Sequence, residues 1–97
     1  MSESRVARIA RMESYFDKAR QVLDEPDLTS AKYAKVQTKI KRLEKYYTGG
    51  QWLKDFEADE AEKLSKDLKR GVLSEDAIND LLDDNKELYE RFGRDNG

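Results

Sequence analysis

The sequence predicts an all-α fold, a small bundle of about four helices built on an antiparallel helical hairpin. Apolar residues recur at alternating steps of three and four along two long segments, the spacing that gathers them on one helix face. The only proline, Pro26, and most of the five glycines fall where those segments should stop. The two segments are separated by about five residues, 24–28, a connection short enough to make them antiparallel neighbours.

The first helix is expected over residues 4–23, with Ile9, Met12, Phe16, Ala19 and Leu23 as its seam. Asp24-Glu25-Pro26-Asp27 breaks it, because the residue before a proline is pushed out of helical dihedrals. The second helix begins near Thr29 or Ser30, either of which caps free amides. Its seam is Tyr33, Val36, Ile40, Leu43 and Tyr47, and Thr48-Gly49-Gly50 ends it with a glycine for the left-handed position. A third helix starts close to Gln51 and sets Trp52 and Phe56 one turn apart. Beyond Ala58 the pattern weakens, and a loop pinned by Leu64 and Leu68 is favoured over a helix running on to Arg70. The last helix opens on Ser74 as N-cap, with Glu75 and Asp76 in the positive first turn. Ile78, Leu81, Leu82, Leu88, Tyr89 and Phe92 supply its apolar face, and Gly93 closes it. Residues 1–97 thus read as one domain, with 1–4 and 94–97 expected to fray.

The seams specify how the hairpin meets. Facing residues of an antiparallel pair have position numbers with a nearly constant sum. Leu23 with Tyr33, Ala19 with Val36, Phe16 with Ile40, Met12 with Leu43 and Ile9 with Tyr47 all add to 55 or 56. Trp52, Phe56, Ile78, Leu81 and Leu82 should lie against this spine.

Composition narrows function. With 37% hydrophobic and 41% charged residues the core must be thin, and only periodic placement keeps the chain from the disordered class. There is no cysteine and no histidine, so thiol chemistry is excluded and the commonest general base and metal ligand are missing. The charged N-terminus does not resemble a secretory signal, and nothing approaches ~18 consecutive apolar residues, so a cytoplasmic protein without membrane association is expected. The net charge of −2 hides an asymmetry. Residues 1–48 hold 11 Lys/Arg against 7 Asp/Glu, whereas 49–97 hold 8 against 14. Attraction between the halves within the fold is the expected meaning, and a polarised surface built for a partner is the sharper one.

Lys32, Lys35, Lys39 and Arg42 form one stripe on the second helix, about 100° from the centre of its apolar face. Such a stripe can contact nucleic-acid phosphates, but an acidic chain lacks the usual electrostatic footprint. A flank paired with acids of the second half, or a solvated face, is the expected role. Asp55-Phe56-Glu57-Ala58-Asp59 alternates acids as a calcium loop begins. Glu60 and Lys66 stand where that loop needs glycine and a bidentate acid, however. Asp83, Asn85 and Glu87 fail likewise at Leu88 and Arg94, leaving both runs as acidic helix surface. Tyr46, Tyr47, Trp52 and Phe56 form an aromatic cluster around Gly49-Gly50, expected to close the end of the helix pair rather than to stack on bases. No nucleophile–base arrangement or phosphate-binding glycine loop is present, so no catalytic, cofactor or metal residue is assigned and no enzyme is expected.

Tyr46-Tyr47, Trp52, Asp55-Phe56-Glu57, Asp59-Glu60 and Arg70-Gly71-Val72-Leu73-Ser74-Glu75-Asp76 together resemble a family of short bacterial proteins, domain of unknown function 4298. The pattern YYxxxxWxxDFExDE, then RGVLSED and Leu81-Leu82, covers roughly residues 12–88. The family often carries glycine where Glu62 stands and proline where Ser65 stands, and this chain has neither. The resemblance implies a bacterial cytoplasmic helical protein and no activity or functional residues. The expected role is therefore a non-catalytic protein-binding or regulatory module, monomeric or homodimeric. Its rival is a nucleic-acid-associated regulator using Lys32, Lys35, Lys39 and Arg42.

Overall fold

A computed structural model describes residues 3–93. Helix α1 spans Arg5–Leu23, α2 Ser30–Thr48, α3 Gln51–Glu60 and α4 Glu75–Leu88; a 3-10 turn at Gly71–Leu73 precedes α4 and a π-helical turn at Tyr89–Gly93 follows it. There is no strand among the described residues.

Each cap follows from the local sequence. The Ser4 hydroxyl accepts from the Ala7 amide and the Thr29 hydroxyl from the Lys32 amide, so Thr29, with Ser30 as first helical residue, starts α2. Of the termini expected to fray, Met1, Ser2 and residues 94–97 lie outside the described residues; Glu3 pairs with Arg11 and Ser4 is the α1 cap. At the α2–α3 junction Gly50 takes the left-handed conformation, φ 95°. Gly49 is needed for a different reason: a Cβ there would stand 2.6 Å from the Lys45 carbonyl oxygen.

Helix α3 stops at Glu60, and residues 61–70 form the loop, with Leu64 and Leu68 partly buried against the core. The stop is a Schellman motif. The Lys63 amide donates to the Ala58 carbonyl and the Glu62 amide to the Asp59 carbonyl, which places Glu62 at the left-handed position, φ 58°. Here the chain carries a glutamate where the resemblance implies glycine. Left-handed dihedrals cost a non-glycine residue about 1–2 kcal/mol, and glycine gives part of that back in chain entropy. Glu62→Gly should therefore stabilise the protein by about 0.5–1 kcal/mol. The check is a denaturant midpoint, and an unchanged or lower one would show that Glu62 bears no strain.

Ser74 caps α4 through its hydroxyl, which accepts from the Ala77 amide at 3.3 Å, with Glu75 and Asp76 in the first turn. Ser74→Ala should cost about 0.5–2 kcal/mol, read from the same unfolding experiment; coincident midpoints would mean the cap contributes nothing. The end of this helix departs from expectation. Instead of continuing as α-helix to Gly93, it widens after Leu88. The extra residue per turn rotates Tyr89 out to 55% exposure and brings Phe92 in to stack on Tyr33, ring centroids 5.8 Å apart.

The core is the expected hairpin spine with α3 and α4 laid on it. Helix α1 packs most extensively against α2 and buries Ile9, Met12, Phe16, Ala19 and Leu23, facing Tyr33, Val36, Ile40 and Leu43. One position is corrected. Tyr46, not Tyr47, closes the α2 seam, because its hydroxyl is drawn to Asp55 while Tyr47 turns to the Trp52 ring. The register shows directly in the 2.7 Å hydrogen bond from Arg42 Nη1 to the Tyr15 hydroxyl, which links residues that face one another along the hairpin. Val72 and Leu73 of the 3-10 turn join the core beside Ile78, Leu81 and Leu82. Helix α4 is fixed to α2 by a reciprocal amide pair, Gln37 with Asn85, and by the Tyr33 hydroxyl donating to the Asn85 carbonyl.

Candidate functional site

Attachment of α4 to one flank of the hairpin leaves the other flank open. On that open flank the α2 stripe meets basic residues of α1. Lys18, Lys32, Lys35 and Lys39 surround a groove with Val36 in its wall. At the far end of the same flank Arg11, Arg42 and Lys45 line a second cleft, with Tyr46 and Gly49 at its end. The sequence set the stripe on α2 alone; the fold adds Arg11 and Lys18 from α1 and Lys45 from α2.

The expected pairing of the two halves holds only in part. Arg5 and Arg8 bind Asp55, and Arg20 binds Asp84. The stripe itself pairs with no acid of the second half among the described residues. Lys32 binds Glu25 at 2.9 Å and Asp27 at 4.0 Å, both within its own half, and Arg42 holds the Tyr15 hydroxyl. Among the described residues no ion pair reaches Lys18, Lys35, Lys39, Arg42 or Lys45. The physical reason is topological: the acids of α4 are held on the Gln37 and Arg20 side of the hairpin, across the core from the stripe.

Tyr15 stands between two guanidinium groups, Arg11 at 5.8 Å and Arg42 at 5.6 Å from its ring centroid. Arg11, and then Arg42, pull its hydroxyl below the usual phenol range. Arg11 is also held by Glu3 through two hydrogen bonds, at 3.0 and 2.8 Å.

The aromatic cluster packs inward. Trp52 is 4% exposed, edge-on to Tyr47 and stacked on Phe56 with centroids 5.0 Å away in each case. Its indole N–H donates to the Val72 carbonyl at 3.0 Å, so the ring also fastens the 3-10 turn.

Two carboxylates were not visible to the sequence reading. Asp55, read as acidic surface, is fully buried. It accepts from Arg5 Nε at 3.1 Å, from Arg8 Nε and Nη2 at 2.9 and 2.5 Å, and from the Tyr46 hydroxyl at 2.7 Å. Burial works against its charge, but the bonds from Arg8, Tyr46 and Arg5 outweigh it and hold the carboxyl below its ordinary value. Burial and the bond to Asp55 push the Tyr46 hydroxyl up, so it remains a donor. Glu13, also buried, accepts from the Val72 amide at 2.7 Å, and its carboxylate lies close to Gly71, where a Cβ would meet Oε1 at 2.8 Å. Both acids lie on apolar helix faces. Asp55 is three residues after Trp52, and Glu13 is four after Ile9 and next to Met12. That placement was the available signal. Asp59 is taken by Arg70, whose Nη2 also reaches the Ser65 carbonyl at 2.5 Å. Among the described residues no three acids gather as a metal site would require, and no helix is long and apolar enough to cross a membrane.

A family model described as Domain of unknown function (DUF4298) matches residues 9–94. No curated protein and no solved structure matches the chain.

Proposed function

The chain belongs to the family of domain of unknown function 4298, whose description assigns no activity, and from that premise we propose that it is a non-catalytic protein-binding module with a regulatory role in the bacterial cytoplasm. One observation carries the reading. Lys18, Lys35 and Lys39 surround Val36 in the groove between α1 and α2, with no acid paired to them among the described residues. Lysine stems offer apolar walls and their ammonium groups a charged rim. A groove of about 300 Å³ built this way suits an acidic protein segment that inserts an apolar side chain.

The competing partner is nucleic acid, through Lys32, Lys35, Lys39 and Arg42. The apolar Val36 wall favours protein over it: an inserted apolar side chain finds a counterpart there, whereas a phosphate backbone offers none. The experiment is affinity capture from the host with the native protein and with Lys35→Glu plus Lys39→Glu, beside a salt titration of random duplex DNA. A protein captured by the native chain and lost with the double variant supports the proposal. Tight DNA binding with steep salt dependence, abolished by the same variant, would replace it with the nucleic-acid reading.

A further inference from the structure

The second cleft on the basic flank differs in chemistry from the lysine groove. It holds about 450 Å³, is lined by Arg11, Arg42 and Lys45, and has no carboxylate in its wall among the described residues. We propose that it binds the phosphate groups of a small phosphorylated molecule carrying at least two negative charges.

The charge balance sets the ligand class. Three cations line the cleft, and one of them, Arg11, is held by Glu3. Neither Arg42 nor Lys45 has an acid partner among the described residues. Two positive charges therefore face the cleft unbalanced, and a dianion balances them. The charge count favours phosphate over a monocarboxylate or halide, each of which carries only one negative charge. A guanidinium presents a planar fork of N–H donors that matches phosphate oxygens, whereas the lysine groove has only point charges over an apolar wall. The cleft is also partly organised in advance. Tyr15 sits between the two guanidinium groups and accepts from Arg42 Nη1 at 2.7 Å, which fixes Arg42 without neutralising it. Glu3 acts as a tethered competitor, since its carboxylate occupies Arg11 donors that a phosphate would use.

The test is a titration of the full isotope-labelled chain with pyrophosphate at low ionic strength, followed by amide chemical shifts. Saturable shifts should concentrate at Gly49, Gly50 and Gln51. Arg42→Gln plus Lys45→Gln should weaken binding at least about tenfold. Glu3→Gln should tighten it about two- to five-fold, a gain that misfolding cannot imitate. Lys35→Glu plus Lys39→Glu should leave the shifts localised at this cleft, which separates the inference from the protein-binding proposal. Shifts that grow without saturation, that spread evenly to Lys35 and Lys39, or that are unchanged by the Arg42 and Lys45 substitutions would overturn it. So would an unchanged affinity in Glu3→Gln, and that arm decides the matter if the double variant does not fold.

Discussion

Phe16→Ala should lower the unfolding free energy by about 3–5 kcal/mol, a large part of what a domain of this size possesses. Phe16 lies midway along the α1 seam, buried in the cluster that also holds Ile40. Removing the ring deletes its transfer energy and leaves a cavity between two helices that are each held in register by several other contacts and so cannot collapse freely. Phe16→Leu, which keeps most of the volume, should cost less than about 1.5 kcal/mol. Equilibrium urea unfolding measures both, and a loss under about 1 kcal/mol for the alanine variant would mean the seam is not the spine of the fold.

Asp55→Ala should be comparably damaging, about 3–5 kcal/mol, for a different reason. The substitution removes one acceptor group but strands several donors. The Tyr46 hydroxyl, on a side chain 1% exposed, loses its acceptor, and Arg8 keeps its charge in a mostly covered position. The effect carries a pH signature. Because the folded carboxyl titrates below its ordinary value of 3.8, the stabilisation is present above that pH. It is lost as pH falls through the lower folded value. Native and variant stabilities should therefore differ most at neutral pH and converge in acid. A gap that stays constant down to pH 2 would show that the charge of Asp55 contributes nothing.

The sequence made helices, caps and hairpin register legible because each leaves a periodic or local mark. Ile9 to Leu23 and Tyr33 to Leu43 announce their faces by spacing, and Ser74-Glu75-Asp76 announces a helix start by residue type. The 61–70 loop was legible as a weakening of the pattern, although its stop depends on Glu62 adopting a conformation that glutamate seldom takes. Asp55 and Glu13 were not legible, because periodic reading assigns carboxylates to water. Only tertiary partners, Arg5, Arg8 and Tyr46 for one and the Val72 amide for the other, make their burial favourable. The same limit hid the basic flank. A stripe on α2 is readable, but its enlargement by Arg11 and Lys18, and its separation from the acids of α4, depend on which side of the hairpin α4 occupies.

The clasp between Glu13 and the Val72 amide also orders events in time. Its partners are 59 residues apart, whereas the α1–α2 hairpin closes across a connection of a few residues. Closing the shorter loop costs less entropy, so the hairpin can form while the rest of the chain is still searching. The clasp forms later, when α1 already offers a fixed carboxylate and the 3-10 turn has somewhere to land. Helix α4 follows directly from that turn, so its docking inherits the same delay. Folding then proceeds as a fast local pairing that serves as a template for a slower closure, and in reverse the clasp and the α4 contacts are released before the hairpin opens.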